Sequence, residues 1–313
     1  MSQERLNYTL LDVFCLPERP YTGNQLAIVH GSQGLSQAQL QSIAKEFNLS
    51  ETTFPSPPPD GVEFDYSVRI FTIARELQFA GHPSIGTAWS MRDLGIIAAT
   101  QASAIQSCGY GKVKITFSSA NAQAVEISSP PSFVKAVALP TAGITHPALT
   151  LPDDAHVLSL HRASCGLEFV YLRVADDASV VNAKPVLANL RTLISVANGT
   201  EGKARGLVLF YVESGQDERP AKIHQRMFPL SFAEDPATGS ASLGLGLVLL
   251  DTGILPPLGL STYDIRQGAE MGRPSAIQAK VLAHDGIAQE CWVSGEVVKV
   301  GEGWIRVPPI QTT

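Results

Sequence analysis

The chain has 313 residues, enough for two domains of about 150 each. Hydrophobic residues make up 44% and charged residues 17%, so a sizeable core can be buried, and disorder, coiled coil and collagen are excluded. The 23 basic and 29 acidic side chains leave a net charge of −6, without the dense positive footprint that nucleic-acid binding needs.

The start, MSQERLNYTLLD, lacks the basic-then-apolar pattern of a signal peptide. The longest nearly apolar run, residues 241–250, is far too short to cross a bilayer. Cys15, Cys108, Cys165 and Cys291 lie far apart with no CxxC, which predicts buried free thiols in a reducing, cytoplasmic compartment.

Strands are predicted at 9–14 and 25–29, with a turn between them around Pro20 to Gly23. Ser36 opens a helix, with Gln39 as its capping-box partner. Leu40, Ile43, Ala44 and Phe47 form one apolar face, and Asn48 is the stop. The proline-rich stretch 55–61 predicts irregular structure. A strand at 62–72 and a helix at 83–94 follow, with Pro83 in the helix's first turn and Gly95 beyond its end. Short strands at 112–118 and 123–127 lead to a stiff polar break at 128–131, which divides the chain into lobes of 1–129 and 130–313. In the second lobe, strands are predicted near 167–174, 206–214, 276–283, 291–299 and 304–308, the last in either lobe. Helices are predicted to begin near Pro185 and at Pro236. Strands and helices mix without strict βαβ alternation, so the class is α+β.

Two segments repeat about half a chain apart. Arg69-Ile-Phe leads to His82-Pro-Ser-Ile-Gly-Thr-Ala88, and Arg226-Met-Phe leads to Asp235-Pro-Ala-Thr-Gly-Ser-Ala241. In each copy a strand ends, a titratable side chain sits at the turn, and proline precedes an apolar helix. Such a helix offers unpaired N–H groups and the positive end of its dipole to an anion. Gly86 and Gly239 are expected to permit close approach, and Thr87 and Ser240 to add a hydroxyl. The bland alternative is a pair of well-capped core helices. Arg69 and Arg226 read as strand-end anchors.

Five blocks, LDVFCLPERPYTGNQLAIV (11–29), NLSETTF (48–54), VRIFTIARELQFAGHPSIGTAW (68–89), RMFPLSFAEDPATGSA (226–241) and QGAEMGRPS (267–275), resemble the PhzF family of phenazine-biosynthesis-like proteins. Gln25 and Ile73 stand where that family usually has proline, and Ser84 where it often has threonine. The resemblance implies a diaminopimelate epimerase-like fold of two pseudo-symmetric lobes, each a curved sheet or barrel around a central helix, with the active site between them. It implies a homodimer and a cofactor-independent isomerase acting on a small carboxylate-bearing substrate, such as trans-2,3-dihydro-3-hydroxyanthranilate. By motif, Glu51 matches the catalytic carboxylate. His82 and Asp235 match residues that hold substrate and support proton movement, and Gly81, Gly239 and Ser240 match the carboxylate cradle.

That chemistry is physically reasonable for these residue types. A glutamate can remove a proton and return it elsewhere if burial lifts its pKa towards the working pH. The sequence contains no HExxH, GxGxxG or GxxxxGK[ST], and its seven histidines show no paired metal-ligand spacing. Thiol-based racemisation is disfavoured because no cysteine falls in either motif. A hydrolase is disfavoured by the absence of Gly-x-Ser-x-Gly. An epimerase acting on another amino or hydroxy acid, and a non-catalytic binding protein, remain the alternatives. QGAEMGRPS reads as tight turns leading into a strand.

Overall fold

Strand β1 (Arg5–Cys15) pairs antiparallel with β2 (Asn24–Val29); Phe14, near the end of β1 (φ 61°), and Glu18 (57°) and Tyr21 (62°) in the connection are non-glycine residues at positive φ. The computed structural model describes residues 5–128, 133–140, 149–151, 155–199, 202–213, 220–230 and 234–309. The predicted break at 128–131 lies, apart from Ser128, outside the described residues. Two compact units partition the chain: residues 1–128 with 294–313, and residues 129–293.

In the first unit, helix α1 (Gln37–Phe47) begins as its sequence dictates. The Ser36 side chain accepts from the Gln39 N–H while Gln39 reaches back to the Ser36 N–H, and Asn48 closes the helix in the left-handed region at φ 52°. Strand β3 (Glu51–Ser56) runs on through Pro55, contrary to the expectation of irregular structure from 55 onward. Pro55 pairs with Val68 of β4 (Tyr66–Phe71), whereas β3 pairs with β2 only as far as Thr53. The missing N–H of Pro55 therefore breaks no ladder on the β2 side. After the short β5 (Glu76–Leu77) come α2 (Gly81–Asp93), β6 (Ser103–Cys108), β7 (Gly111–Phe117) and β8 (Ala124–Ser128).

The eight strands run β1-β2-β3-β4-β6-β7-β8-β18, and the last, β18 (Ile287–Arg306), pairs back with β1 and closes a barrel. Helix α2 lies inside. It touches β1, β2, β3, β6 and β8, and nearly every residue from Gly81 to Met91 is buried. Helix α1 instead packs outside through one face, where Leu40, Ile43 and Ala44 meet Phe54, Phe71, Val29 and Leu6.

The second unit contains β9 (Phe133–Leu139), β10 (Leu149–Thr150), β11 (Val157–Cys165), β12 (Leu167–Val174), α3 (Asp177–Val181) and β13 (Lys184–Pro185). It continues with α4 (Leu187–Asn198), β14 (Gly206–Val212), β15 (Ala221–Pro229), α5 (Gly239–Asp251), β16 (Gly259–Gln267) and β17 (Ser275–His284). Its strand order is β17-β16-β15-β14-β12-β11-β9, and the start of β18 joins at β17. Helix α5 is buried from Gly239 to Leu250 and touches β9, β11, β12 and β17, so its apolar character on every side reflects a core position. Tyr171 and Tyr263, both fully buried, donate their hydroxyls to the Ala241 and Ser242 carbonyls at 2.9 and 2.8 Å. Gly244 and Gly246 make room for them, since an added Cβ would stand 2.2 and 2.6 Å from the respective hydroxyls.

The structure confirms the α+β class and shifts several boundaries. The helix expected at Pro83 begins two residues earlier, at Gly81, and that expected at Pro236 begins three residues later, at Gly239. Strands β11, β15 and β16 were not legible, and the strands expected at 291–299 and 304–308 are parts of β18. Cys15, Cys165 and Cys291 are buried free thiols, but Cys108 is only half-buried. Burial, aided by Asp12, pushes the Cys15 thiol up to about 12. Among the described residues no helix is long and apolar enough to cross a membrane.

Candidate active site

The internal repeat is present in each unit, with a register different from the one the motifs suggest. Arg69 holds Glu76 through two parallel bonds of 2.7 Å, and Arg226 holds Glu234 in the same way at 2.7 Å. Each guanidinium also lies over the phenylalanine two residues on, 5.1 Å from the Phe71 centroid and 5.0 Å from Phe228. Both arginines are anchors, although they lie within β4 and β15 and not at the strand ends. Helices α2 and α5 each have 13 residues and run from glycine to aspartate. In both, the fourth residue is a serine, Ser84 or Ser242, that donates to the carbonyl of the residue before the helix, Ala80 or Thr238. In both it also accepts from a buried glutamine on a neighbouring strand, Gln106 or Gln225, at 2.9 and 3.1 Å.

This register matches Gly81 with Gly239, Gly86 with Gly244 and His82 with Ser240. The sequence alignment of His82 with Asp235 is therefore out of step. His82 lies in the first turn of α2, whereas Asp235 stands outside α5, bridged to Met227 by its N–H to the Met227 carbonyl at 3.1 Å. The expected role of Gly86 is also corrected. An added Cβ there would meet Leu26 Cδ2 at 2.6 Å and Val13 Cγ2 at 2.8 Å, so its smallness serves barrel packing. Thr87 likewise faces the interior, sharing a 2.9 Å hydrogen bond with Thr53.

Glu51 opens β3, three residues past the left-handed Asn48, and is paired with Leu26 of β2. Its Oε2 lies 3.5 Å from Nε2 of His82, and both side chains are largely buried. On the other side of the ring, Nδ1 lies 3.4 Å from the amide of Asn24, whose Oδ1 accepts from Ser50 at 3.0 Å. Burial lowers the His82 pKa to about 3 against the opposing hydrogen bond to the Gln25 backbone, so the imidazole is neutral at physiological pH. The Glu51–His82 contact is therefore not an ion pair. His82 Nε2 is a buried polar atom without a hydrogen-bond partner among the described residues. Such an atom normally costs about 1–3 kcal/mol, a penalty expected chiefly where a site needs it.

In the second unit, Asp235 and Thr238 are buried, and Thr238 donates its hydroxyl to Asp235 Oδ2 at 2.5 Å. Gly239 and Ser240 form the start of α5. Unlike α1 and α3, which carry side-chain caps from Ser36 and Asp176, neither α2 nor α5 has a side-chain cap. Their leading N–H groups keep their anion-binding capacity. Elsewhere in this unit, donor atoms of Asp177, Glu213 and His224 lie within 4.8 Å of one another. Arg266 pairs with both carboxylates, so its guanidinium already compensates that cluster, and His224 Nδ1 stands 2.6 Å from Asp177.

The sequence matches the family of phenazine biosynthesis-like proteins, PhzC-PhzF, over residues 11–303. The chain belongs to this family. Among its relatives is an uncharacterized isomerase of Mesorhizobium japonicum, 30% identical over 303 residues, 95% of this chain and 97% of the relative. Another is the trans-2,3-dihydro-3-hydroxyanthranilate isomerase of Pseudomonas fluorescens, 30% identical with 96% and 99% coverage. The crystal structure of the Bacillus anthracis PhzF-family protein shares the fold, with a TM-score of 0.78, 20% identity and coverage of 97% and 99%. The residues singled out from the motifs thus form two groups, Glu51, Gly81 and His82 in one unit and Asp235, Gly239 and Ser240 in the other. Asn24, Ser50, Thr238 and Gln267 were not singled out. All four do fall inside quoted family blocks, Asn24 in 11–29, Ser50 in 48–54, Thr238 in 226–241 and Gln267 in 267–275.

Proposed function

We propose that the protein is a cofactor-independent isomerase that moves a proton on a small carboxylate-bearing substrate, of the kind named for its Pseudomonas fluorescens relative. The observation that carries this reading is the orphaned, neutral His82 Nε2 beside Glu51 at the uncapped start of the buried helix α2. In the proposed reaction the Glu51 carboxylate takes a proton from a carbon of the substrate. The electron pair left behind spreads over the conjugated system and the substrate carboxylate. Glu51 then returns the proton to a different carbon, and the resulting enol passes to its ketone, so no atom or electron is gained or lost.

His82 supports this as a neutral ring that can donate or accept without carrying charge into the site. The leading N–H group at Gly81 supplies a fixed dipole for a carboxylate as charge develops, and Gly239 and Ser240 offer groups of the same kind at the start of α5. Asp235 holds the substrate through its buried carboxylate. We propose further that the protein works as a homodimer in the cytoplasm.

The test is proton NMR of trans-2,3-dihydro-3-hydroxyanthranilate in deuterated buffer, with Glu51→Gln run beside the wild type. Turnover with deuterium incorporation by wild type is expected, and a fall of about 10²–10⁴-fold in the variant. Equal rates for the two proteins would remove Glu51 from the mechanism. Binding without turnover by either would favour a binding protein.

A further inference from the structure

The segment Gln267 to Ser275 folds onto the turn that carries Asp235. Gln267, the last residue of β16, is buried, and its amide is directed by two groups that each allow a single role. The Thr238 N–H can only donate, and it donates to Gln267 Oε1 at 3.2 Å. The Asp235 carbonyl can only accept, and it accepts from Gln267 Nε2 at 2.7 Å. These two bonds fix which end of the amide is oxygen and which is nitrogen. The Gln225 amide adds a second donor to Oε1 at 2.7 Å.

With the orientation fixed, Nε2 also donates to Thr238 Oγ1 at 3.1 Å. That bond occupies the hydroxyl as an acceptor and leaves its own proton for Asp235 Oδ2, 2.5 Å away. A directed chain results, from the Gln267 amide through the Thr238 hydroxyl to the Asp235 carboxylate, every member buried. The rest of the segment clamps the same turn. Ser275 donates to the Pro236 carbonyl at 3.0 Å. Gly268, at φ 77°, lies so close that a Cβ would stand 2.5 Å from that same carbonyl oxygen.

We infer that Gln267 is a positioning residue which, through Thr238, sets the direction of the Asp235 carboxylate and holds the backbone leading into α5. This rests on the reading of Asp235 as a substrate-holding residue, but the geometry it asserts can be tested separately. Crystal structures of Thr238→Val, Thr238→Ser and Gln267→Leu form the first arm. The Asp235 carboxylate is expected to keep its place in Thr238→Ser and to turn by about 1 Å or more in Thr238→Val and Gln267→Leu. An unmoved carboxylate in Thr238→Val would overturn the inference, whatever the enzyme turns over, and this variant keeps the test decisive should Gln267→Leu fail to fold.

The second arm is kinetic, on trans-2,3-dihydro-3-hydroxyanthranilate. Thr238→Val is expected to lower kcat/KM by roughly 10–10²-fold, the loss that a displacement of about 1 Å in a substrate-holding group brings. Thr238→Ser should recover most of the rate, and the double variant should be no worse than the poorer single one. A wild-type kcat/KM in Thr238→Val would overturn the positioning role. Absence of turnover by the wild type would instead count against the proposed substrate, while the crystallographic arm would still decide the placement of Asp235.

Discussion

Acidification should weaken this fold through His82. The ring titrates at about 6.5 in an unfolded chain, and burial lowers it to about 3 in the folded one. Between those values the unfolded state binds a proton that the folded state refuses, so stability rises with pH across the window. The contribution is complete above 6.5 and is lost as pH falls towards 3. Each pH unit corresponds to about 1.4 kcal/mol, so lowering the pH from 6.5 to 4.5 removes roughly 2.7 kcal/mol, and the full window roughly 5. Against a total stability of about 5–15 kcal/mol for a typical domain, that is a large share. Urea unfolding at a series of pH values, wild type against His82→Gln, isolates this contribution because other carboxylates cancel in the difference. The wild type should lose stability relative to His82→Gln at close to the stated slope below pH 6.5. The slope should persist when both proteins also carry Glu51→Gln, since desolvation of the ring rather than the neighbouring carboxyl is its cause. Parallel curves for wild type and His82→Gln between pH 6.5 and 4.5 would refute the reasoning.

Other perturbations separate the two copies of the repeat. Glu234→Gln leaves the buried Arg226 with half its partner's charge-assisted bonds, and should cost about 3–5 kcal/mol in urea unfolding. Glu76→Gln acts on the same pairing at Arg69, which is 41% exposed, and should cost at most about 1 kcal/mol. Equal losses would show that burial does not govern the difference. Gly86→Ala should destabilise by about 1–3 kcal/mol through overpacking against Leu26 and Val13, measured as a drop in Tm, and an unchanged Tm would contradict the packing role given to that glycine.

Much of this protein was legible in the sequence, for a physical reason that also marks the limit. Capping boxes, helix stops and apolar faces are local devices whose parts lie within a few residues, so Ser36, Gln39 and Asn48 announce α1 by themselves. The duplicated Arg-x-Phe segments and the glycine-rich helix starts were equally visible, and so was the grouping of Glu51 and His82 through motif resemblance. The register of the repeat was not. Matching prolines suggested that His82 and Asp235 are equivalent, but the hydrogen bonds of Ser84 and Ser242 align His82 with Ser240. Gly86, which reads as room for a ligand, is room for Leu26 and Val13, because the closed barrel brings those side chains onto α2. Gln267 reads as part of a turn and is bound to Asp235 and Thr238, residues far from it in sequence. Contacts of that kind depend on which strands lie side by side and in what register. No local pattern carries this information, and only the wrapping of the sheets around α2 and α5 decides it.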